Sequence, residues 1–114
     1  MSAIVCTLPT CGDPIVDAVR VKLMAGDHGD IHCAAVADKL AARSKVGQEK
    51  YNQTLTRSDL SGWDWLKHAQ EEAMDLANYL EVLIQRSPVE SRFNDLQEMA
   101  LATAAELENY LQQQ

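Results

Sequence analysis

The segment "HAQEEAMDLANYL", residues 68–80, places Glu71, Glu72 and Asp75 within about one helical turn, with no lysine or arginine among them. Like charges three or four residues apart destabilise a helix by roughly 0.2–0.5 kcal/mol per pair. Glu72 and Asp75, at i and i+3, can converge on one point in space. Carboxylates brought together need a cation, or one of them takes up a proton. Mg2+ or Mn2+ suits them, because hard divalent ions take a few carboxylate oxygens plus waters and phosphate oxygens. The same spacing also occurs on plain solvated helix faces, so placement decides its meaning. On a helical wheel Leu66, Ala69, Ala73, Leu76, Ala77, Leu80 and Leu83 form the expected core stripe. Trp65, His68, Glu72, Asp75, Tyr79 and Val82 form a second stripe on its flank, with Glu71 and Asn78 at the edge. The acids are therefore expected to border the core, beside aromatics and a histidine. His68 itself reads as a packed or hydrogen-bonded side chain, since a hard-metal oxygen site seldom calls for imidazole.

A second group lies in "ARSKVGQEKYNQTL", residues 42–55, where Arg43, Lys45 and Lys50 surround Glu49. As a plain helix surface it is Glu and Lys side by side in water. As a site, Glu49 completes a metal set with Glu72 and Asp75, while Lys50 or Arg43 meets a phosphate. An antiparallel neighbouring helix would bring Glu49 to the other two.

These residues need elements to hold them. In "CGDP", Asp13 is the expected N-cap and Pro14 the first helical position, for a helix over 14–24. "AGDHGD" is a loop ending in Asp30, the expected N-cap of a helix over 31–53, which Gly47 weakens by around 1 kcal/mol relative to alanine. "QTLTRSDLSG" is a polar connection, and Ser61 with Asp64 resembles a capping box opening a helix over 63–85. In "SPVE", Ser87 caps, Pro88 takes the first position and Glu90 the third of a last helix over 87–111. No strand alternation, internal repeat or low-complexity linker stands out. The expectation is one all-α domain, a four-helix bundle over 1–114: an N-terminal segment 1–13, chemistry-bearing helices across 31–85 and a C-terminal helix 87–111.

Composition narrows the partners. With 17 acidic and 10 basic residues among 114, the net charge is -7, so no basic surplus exists to displace counterions from duplex nucleic acid or an anionic membrane. A small phosphorylated ligand stays compatible if a cation or a local basic cluster stands between the charges. No run of about 18 apolar residues occurs, and "MSAIVCTLPTCGDP" has neither a basic n-region nor a long h-region, so a cytoplasmic setting is expected. The odd count of cysteines, Cys6, Cys11 and Cys33, fits reduced thiols. A zinc site joining Cys6 and Cys11 to His28, His32 or Cys33 is the sharper alternative, on a spacing looser than a zinc knuckle.

"RSKVGQEKYNQTL" followed by "LSGWDWLKHAQEEAMDLANYLEVLI", with Glu72-x-x-Asp75 running into "LANYL", resembles the MazG-like all-α nucleoside triphosphate pyrophosphohydrolases, in particular small phage-type members, over roughly residues 31–85. The resemblance implies a four-helix core assembling as homodimers or homotetramers, in a bacterial or phage-infected cytosol. It implies Mg2+-dependent cleavage of a (deoxy)nucleoside triphosphate to the monophosphate and pyrophosphate. Glu49 matches the last glutamate of the first half of the family's motif, and Glu72 and Asp75 match the second half. Lys45 and Val46 stand where two further glutamates would be, and Glu71 lies beside the matched pair. On this basis Glu49, Glu72 and Asp75 are the expected metal ligands, with Glu71, then Glu49, activating water. Lys50 and Arg43 would meet phosphates, and Asn78, Tyr79 and Trp65 the nucleoside. The competing expectation is a catalytically silent helical module that dimerises through the Trp65–Tyr79 stripe, its acids forming a polar rim.

Overall fold

The structure, a computed structural model, describes residues 9–26 and 32–113. Four helices account for its secondary structure: α1 (Pro14–Ala25), α2 (Cys33–Tyr51), α3 (Gly62–Arg86) and α4 (Arg92–Gln112). They form two compact units, Met1–Ser58 and Asp59–Gln114. None of the described helices is long and apolar enough to cross a membrane.

In the first unit α1 packs on α2 through polar groups as much as apolar ones. Asp13, 2% exposed, accepts from the Ile15 N–H at 3.0 Å and the Val16 N–H at 3.5 Å, which is the expected N-cap. Its other oxygen accepts from the Leu55 N–H at 2.8 Å, so one carboxylate fastens both the start of α1 and the chain beyond α2. Arg20, 3% exposed, is buried with its charge answered. Its Nε donates to the Ala37 carbonyl at 3.0 Å; its Nη1 donates to the Pro9 carbonyl at 2.7 Å and to Asp17 Oδ1 at 3.0 Å. A buried guanidinium is tolerated only when its donors are met in this way. Gln48 spans from α2 to the Cys11 carbonyl at 3.1 Å and to Ser44 Oγ at 2.9 Å. Gly12 has a φ of 95°, a conformation that favours glycine, and a Cβ there would press on the Gln48 amide at 3.0 Å.

The helix α2 runs through Gly47 and stops at Asn52, which takes the left-handed conformation (φ 53°) and donates to the Gln48 carbonyl. The expected cap Asp30 lies outside the described residues; His32 holds the N-cap position, and its side chain does not cap the helix.

The second unit is an antiparallel helical hairpin. Ser61 and Asp64 form the expected capping box at the start of α3: the Ser61 N–H donates to Asp64 Oδ2 at 2.9 Å and the Asp64 N–H to Ser61 Oγ at 3.1 Å. These bonds from Ser61 hold the Asp64 carboxyl below the usual range. At the other end the expected start of the last helix at Ser87 is corrected. Ser87 instead terminates α3 at φ -137° and ψ 65°, since a residue preceding proline is pushed out of the helical region. Residues 87–91 reverse the chain, with the Glu90 N–H bonded to the Ser87 carbonyl, and Glu90 Oε1 accepts from the Arg92 N–H as α4 begins.

The hairpin seam also corrects the expected core stripe. Beyond the half-buried Asp64 and Trp65 in its first turn, the buried or half-buried positions of α3 are Leu66, Gln70, Ala73, Ala77, Leu80 and Ile84, and those of α4 are Phe93, Gln97, Ala100, Ala104, Leu107 and Leu111. Both sets step alternately by four and three residues, the seven-residue pattern of paired helices. Ala69, Leu76 and Leu83 lie exposed on the flank instead. The displaced stripe follows from Gln70 and Gln97. Gln70 Nε2 donates to the Ala104 carbonyl at 3.2 Å and to Glu108 at 2.9 Å. Gln97 Nε2 donates to the Ala77 carbonyl at 3.1 Å and to Glu81 at 3.0 Å. The short alanines opposite leave those carbonyls within reach.

This reciprocity exposes an internal repeat. Residues 70–85, "QEEAMDLANYLEVLIQ", and 97–112, "QEMALATAAELENYLQ", share Gln-Glu-x-Ala-x3-Ala-x2-Leu-Glu-x3-Gln at an offset of 27. Both repeats use it alike. Glu81 accepts from Gln85 and Gln97, and Glu108 from Gln70 and Gln112, which lowers both carboxyls from the usual glutamate range.

Two outcomes test this account. Asp13→Ala removes a cap and leaves the Leu55 N–H unmet, and is expected to lower stability by about 1–3 kcal/mol in urea unfolding. Asp17 is held well below the usual aspartate range, first by the Thr10 hydroxyl, then by the Cys11 N–H and Arg20. Because the folded-state value is the lower one, this stabilisation is complete above the ordinary aspartate pKa of about 3.9 and is lost as pH falls below it. The urea midpoint of the native protein should therefore drop on acidification below about pH 4, and Asp17→Asn should flatten that drop.

Candidate functional site

The two groups singled out by the sequence belong to different units: Glu49, Arg43 and Lys50 to the first, and Glu71, Glu72, Asp75, Asn78, Tyr79 and Trp65 to the second. Each is described on its own unit.

On α3 the seam fixes where the acids point. Asp75 stands opposite the seam, and Glu72 is one helical step away on the same exposed side. The expectation that the carboxylates border the core is corrected here: within the hairpin they face outward, because Gln70, Ala73 and Ala77 turn towards α4. No side-chain hydrogen bond or ion pair among the described residues involves Glu72, Asp75 or Glu49. Glu71 has a partner, His68 Nδ1 at 3.7 Å, both side chains more than half exposed. His68 also meets the half-buried Trp65 ring edge-on, with centroids 6.0 Å apart at 63°. Trp65 thus anchors His68, and His68 leans on Glu71, one turn before the outward acids. Asn78 and Tyr79 are exposed on the following turn, Tyr79 at 68%.

Among the described residues no group of three or more His, Cys, Asp or Glu side chains gathers closely enough to hold a metal. Glu72 and Asp75 make a pair, with Cβ atoms about 5–6 Å apart as any i, i+3 neighbours are. Mg2+ is commonly held by one or two carboxylates together with waters and substrate phosphates, so a pair on one helix is a fitting partial set. For the zinc alternative, Cys6 and His28 lie outside the described residues. Cys11 is buried with its thiol directed at the Asp13 carbonyl, and Cys33 is half-buried at the start of α2.

On α2 the structure adds a feature that the sequence did not single out. Ala42, Arg43, Val46, Gly47, Lys50 and Tyr51 line a shallow groove of about 350 Å3. Arg43 and Lys50 are its charged members, and Lys50 Nζ sits 5.3 Å from the Tyr51 ring centroid. Arg43, Val46 and Lys50, spaced three and four apart, share one helix face, which was the signal available in the sequence. A Cβ on Gly47 would meet nothing within 4 Å, so glycine is not demanded there by packing.

Charge separates in the same way. Residues 1–58 hold six acidic and seven basic side chains, whereas residues 59–114 hold eleven acidic and three basic. The chain's negative balance is therefore a property of the hairpin, and α2 carries the positive face.

No family model, curated protein or solved structure matches this chain. What its fold defines is a class: an all-α chain of two helix pairs, one with an outward acidic row and one with a basic groove.

Because the outward acids make no stabilising contact, Glu72→Ala and Asp75→Ala should leave the metal-free melting temperature unchanged or raise it by about 1–3 °C, as relief of like-charge crowding predicts. Gly47→Ala should stabilise α2 by about 0.5–1 kcal/mol, measured by urea unfolding.

Proposed function

We propose that this chain is a Mg2+-dependent pyrophosphohydrolase that converts a nucleoside triphosphate, with a deoxynucleotide preferred, to the monophosphate and pyrophosphate. The observation that carries the reading is the difference between the two halves of the hairpin repeat. Four of the six seam positions carry the same residue in α3 and α4 and the other two are large and apolar in both, but Glu72, Asp75 and Asn78 of α3 stand where α4 has Met99, Ala102 and Ala105. Pairing the helices therefore does not require the acids. They crowd like charges on one helix at some cost, which is expected of residues retained for function rather than for stability.

The chemistry follows from the residue types. Glu72 and Asp75 would hold the divalent ion, with waters and substrate oxygens completing its shell. When bound, the ion neutralises charge on the triphosphate and stabilises the charge that shifts in the transition state. Glu71 orients or deprotonates the attacking water, with His68 nearby at 3.7 Å. On the first unit, Lys50 and Arg43 line the α2 groove and suit phosphate oxygens. Tyr79 and Trp65 offer ring faces to a base or sugar, and Asn78 a polar contact. Homodimers or homotetramers are part of this reading.

A second reading rests on a separate observation. Leu76 (49%), Leu83 (42%) and Leu96 (44%) lie exposed on the hairpin flank. Such apolar surface marks an interaction site, and a silent oligomerisation module would have it as well.

The deciding experiment combines thermal shift with Mg2+ or Mn2+ and a panel of canonical and modified dNTPs, scored for released pyrophosphate. The enzyme reading expects metal-dependent stabilisation and turnover, with Glu72→Ala and Asp75→Ala each losing about 100-fold or more in rate while remaining folded. Absence of both metal shift and turnover across the panel transfers the case to the interaction module.

A further inference from the structure

The seam between α3 and α4 has the symmetry of a contact between two identical molecules, although both helices belong to one chain. Gln70 bonds the Ala104 carbonyl and Glu108; Gln97 bonds the Ala77 carbonyl and Glu81. In the repeat, Ala77 corresponds to Ala104 and Glu81 to Glu108, so every such bond occurs twice, once in each direction. A surface that reads the same from both sides is the defining property of a twofold interface between copies. The repeated pattern is accordingly a self-complementary code for an antiparallel helix pair.

The connection between the helices adds little to the choice of partner. Val89 is 96% exposed, and the bonds of residues 87–91 are local: Ser87 N–H to the Leu83 carbonyl at 2.9 Å, Glu90 N–H to the Ser87 carbonyl and Arg92 N–H to Glu90 Oε1 at 3.0 Å each, and Asn94 N–H to the Ser91 carbonyl at 3.1 Å. Opening that turn disturbs only one half-buried side chain, Ser87, whereas the seam bonds are the same whether α4 arrives from its own chain or from another.

We propose that the α3–α4 seam is a homotypic recognition surface, on which a second copy of this chain docks by exchanging α4, each α3 pairing with the other copy's α4. The contacts made in the exchanged pair are those already present, so the balance between the two forms is set by protein concentration and by the connection. This surface is distinct from the outward row of the proposed site, and exchange leaves that row exposed.

Two measurements on the full-length chain test the proposal. Deleting Ser87–Arg92 sets Phe93 in the place of Ser87 and preserves the seven-residue phase, while removing the turn that allows α4 to fold back. Light scattering should then give a two-chain mass, with helical content retained by circular dichroism; a folded single-chain species overturns the proposal. The second measurement keeps the native connection and decides the matter if the deletion variant does not fold. Chains carrying Gln70→Cys and Glu108→Cys, isotopically heavy and light, are mixed, unfolded, refolded over a range of concentrations and oxidised. Peptide mapping, which separates the native cysteines, should find heavy-to-light links between positions 70 and 108 whose share rises at least tenfold from micromolar to millimolar protein. Links confined within single chains at every concentration overturn it.

Discussion

A glutamine in the middle of a helix–helix seam has to find partners for its amide, because burying an unmet donor costs more than the pair gains. In this hairpin the two hydrogens of each seam amide are spent on one backbone carbonyl and one carboxylate of the opposite helix. The carbonyls are reachable only because the residues that carry them are alanines. A slip by one residue would leave both amides without their acceptors, and a slip by a full heptad would also misplace the glutamates. Register is therefore set by polar geometry, with Ala73, Ala77, Ala100 and Ala104 allowing the close approach and Leu80, Leu107 and their neighbours supplying apolar contact. Once that register is set, the orientation of every other residue on α3 follows, including the acids.

The first unit solves a comparable problem with charge. Arg20 and Asp13 are nearly fully buried, and each is held by backbone groups from different parts of the chain. Arg20 ties α1 to a carbonyl of α2 and to Pro9, while Asp13 ties the start of α1 to Leu55. Small helix pairs have little apolar surface to bury, and multiply bonded polar groups compensate by defining one arrangement. The outer face of α2 is then free for Arg43, Lys50 and Tyr51 to frame a groove.

The two faces have opposite electrical character, and that division gives the functional proposal its physical sense. Carboxylates of the kind on α3 retain a divalent ion, and cationic side chains of the kind on α2 meet phosphate oxygens. Crowding of acids on α3 is a local cost with no structural return within the hairpin, since α4 makes the same seam with alanine and methionine at the equivalent places.

Much of this was legible in the residues. Asp13 and Pro14, Ser61 and Asp64, and the helical period of the apolar positions determined the all-α class, the four helices found among the described residues and the starts of α1 and α3 to within a residue, because caps and periodicity are local properties of the chain. The acidic row and the basic cluster were likewise visible as residue types at helical spacing. What a single helix cannot specify is which way it faces. Gln70 and Gln97 look like surface residues until the opposite carbonyl is in place, so the buried stripe fell on Ala69, Leu76 and Leu83 in the wheel and on Gln70 and Ile84 in the fold. The repeat was hidden for the same reason: seven shared residues spread over sixteen positions mean little until reciprocal bonds give each of them a job. Sequence alone determined where helices form; only the tertiary structure decided which face of each is buried, because a side chain's partner lies on another element and burial is a property of the pair.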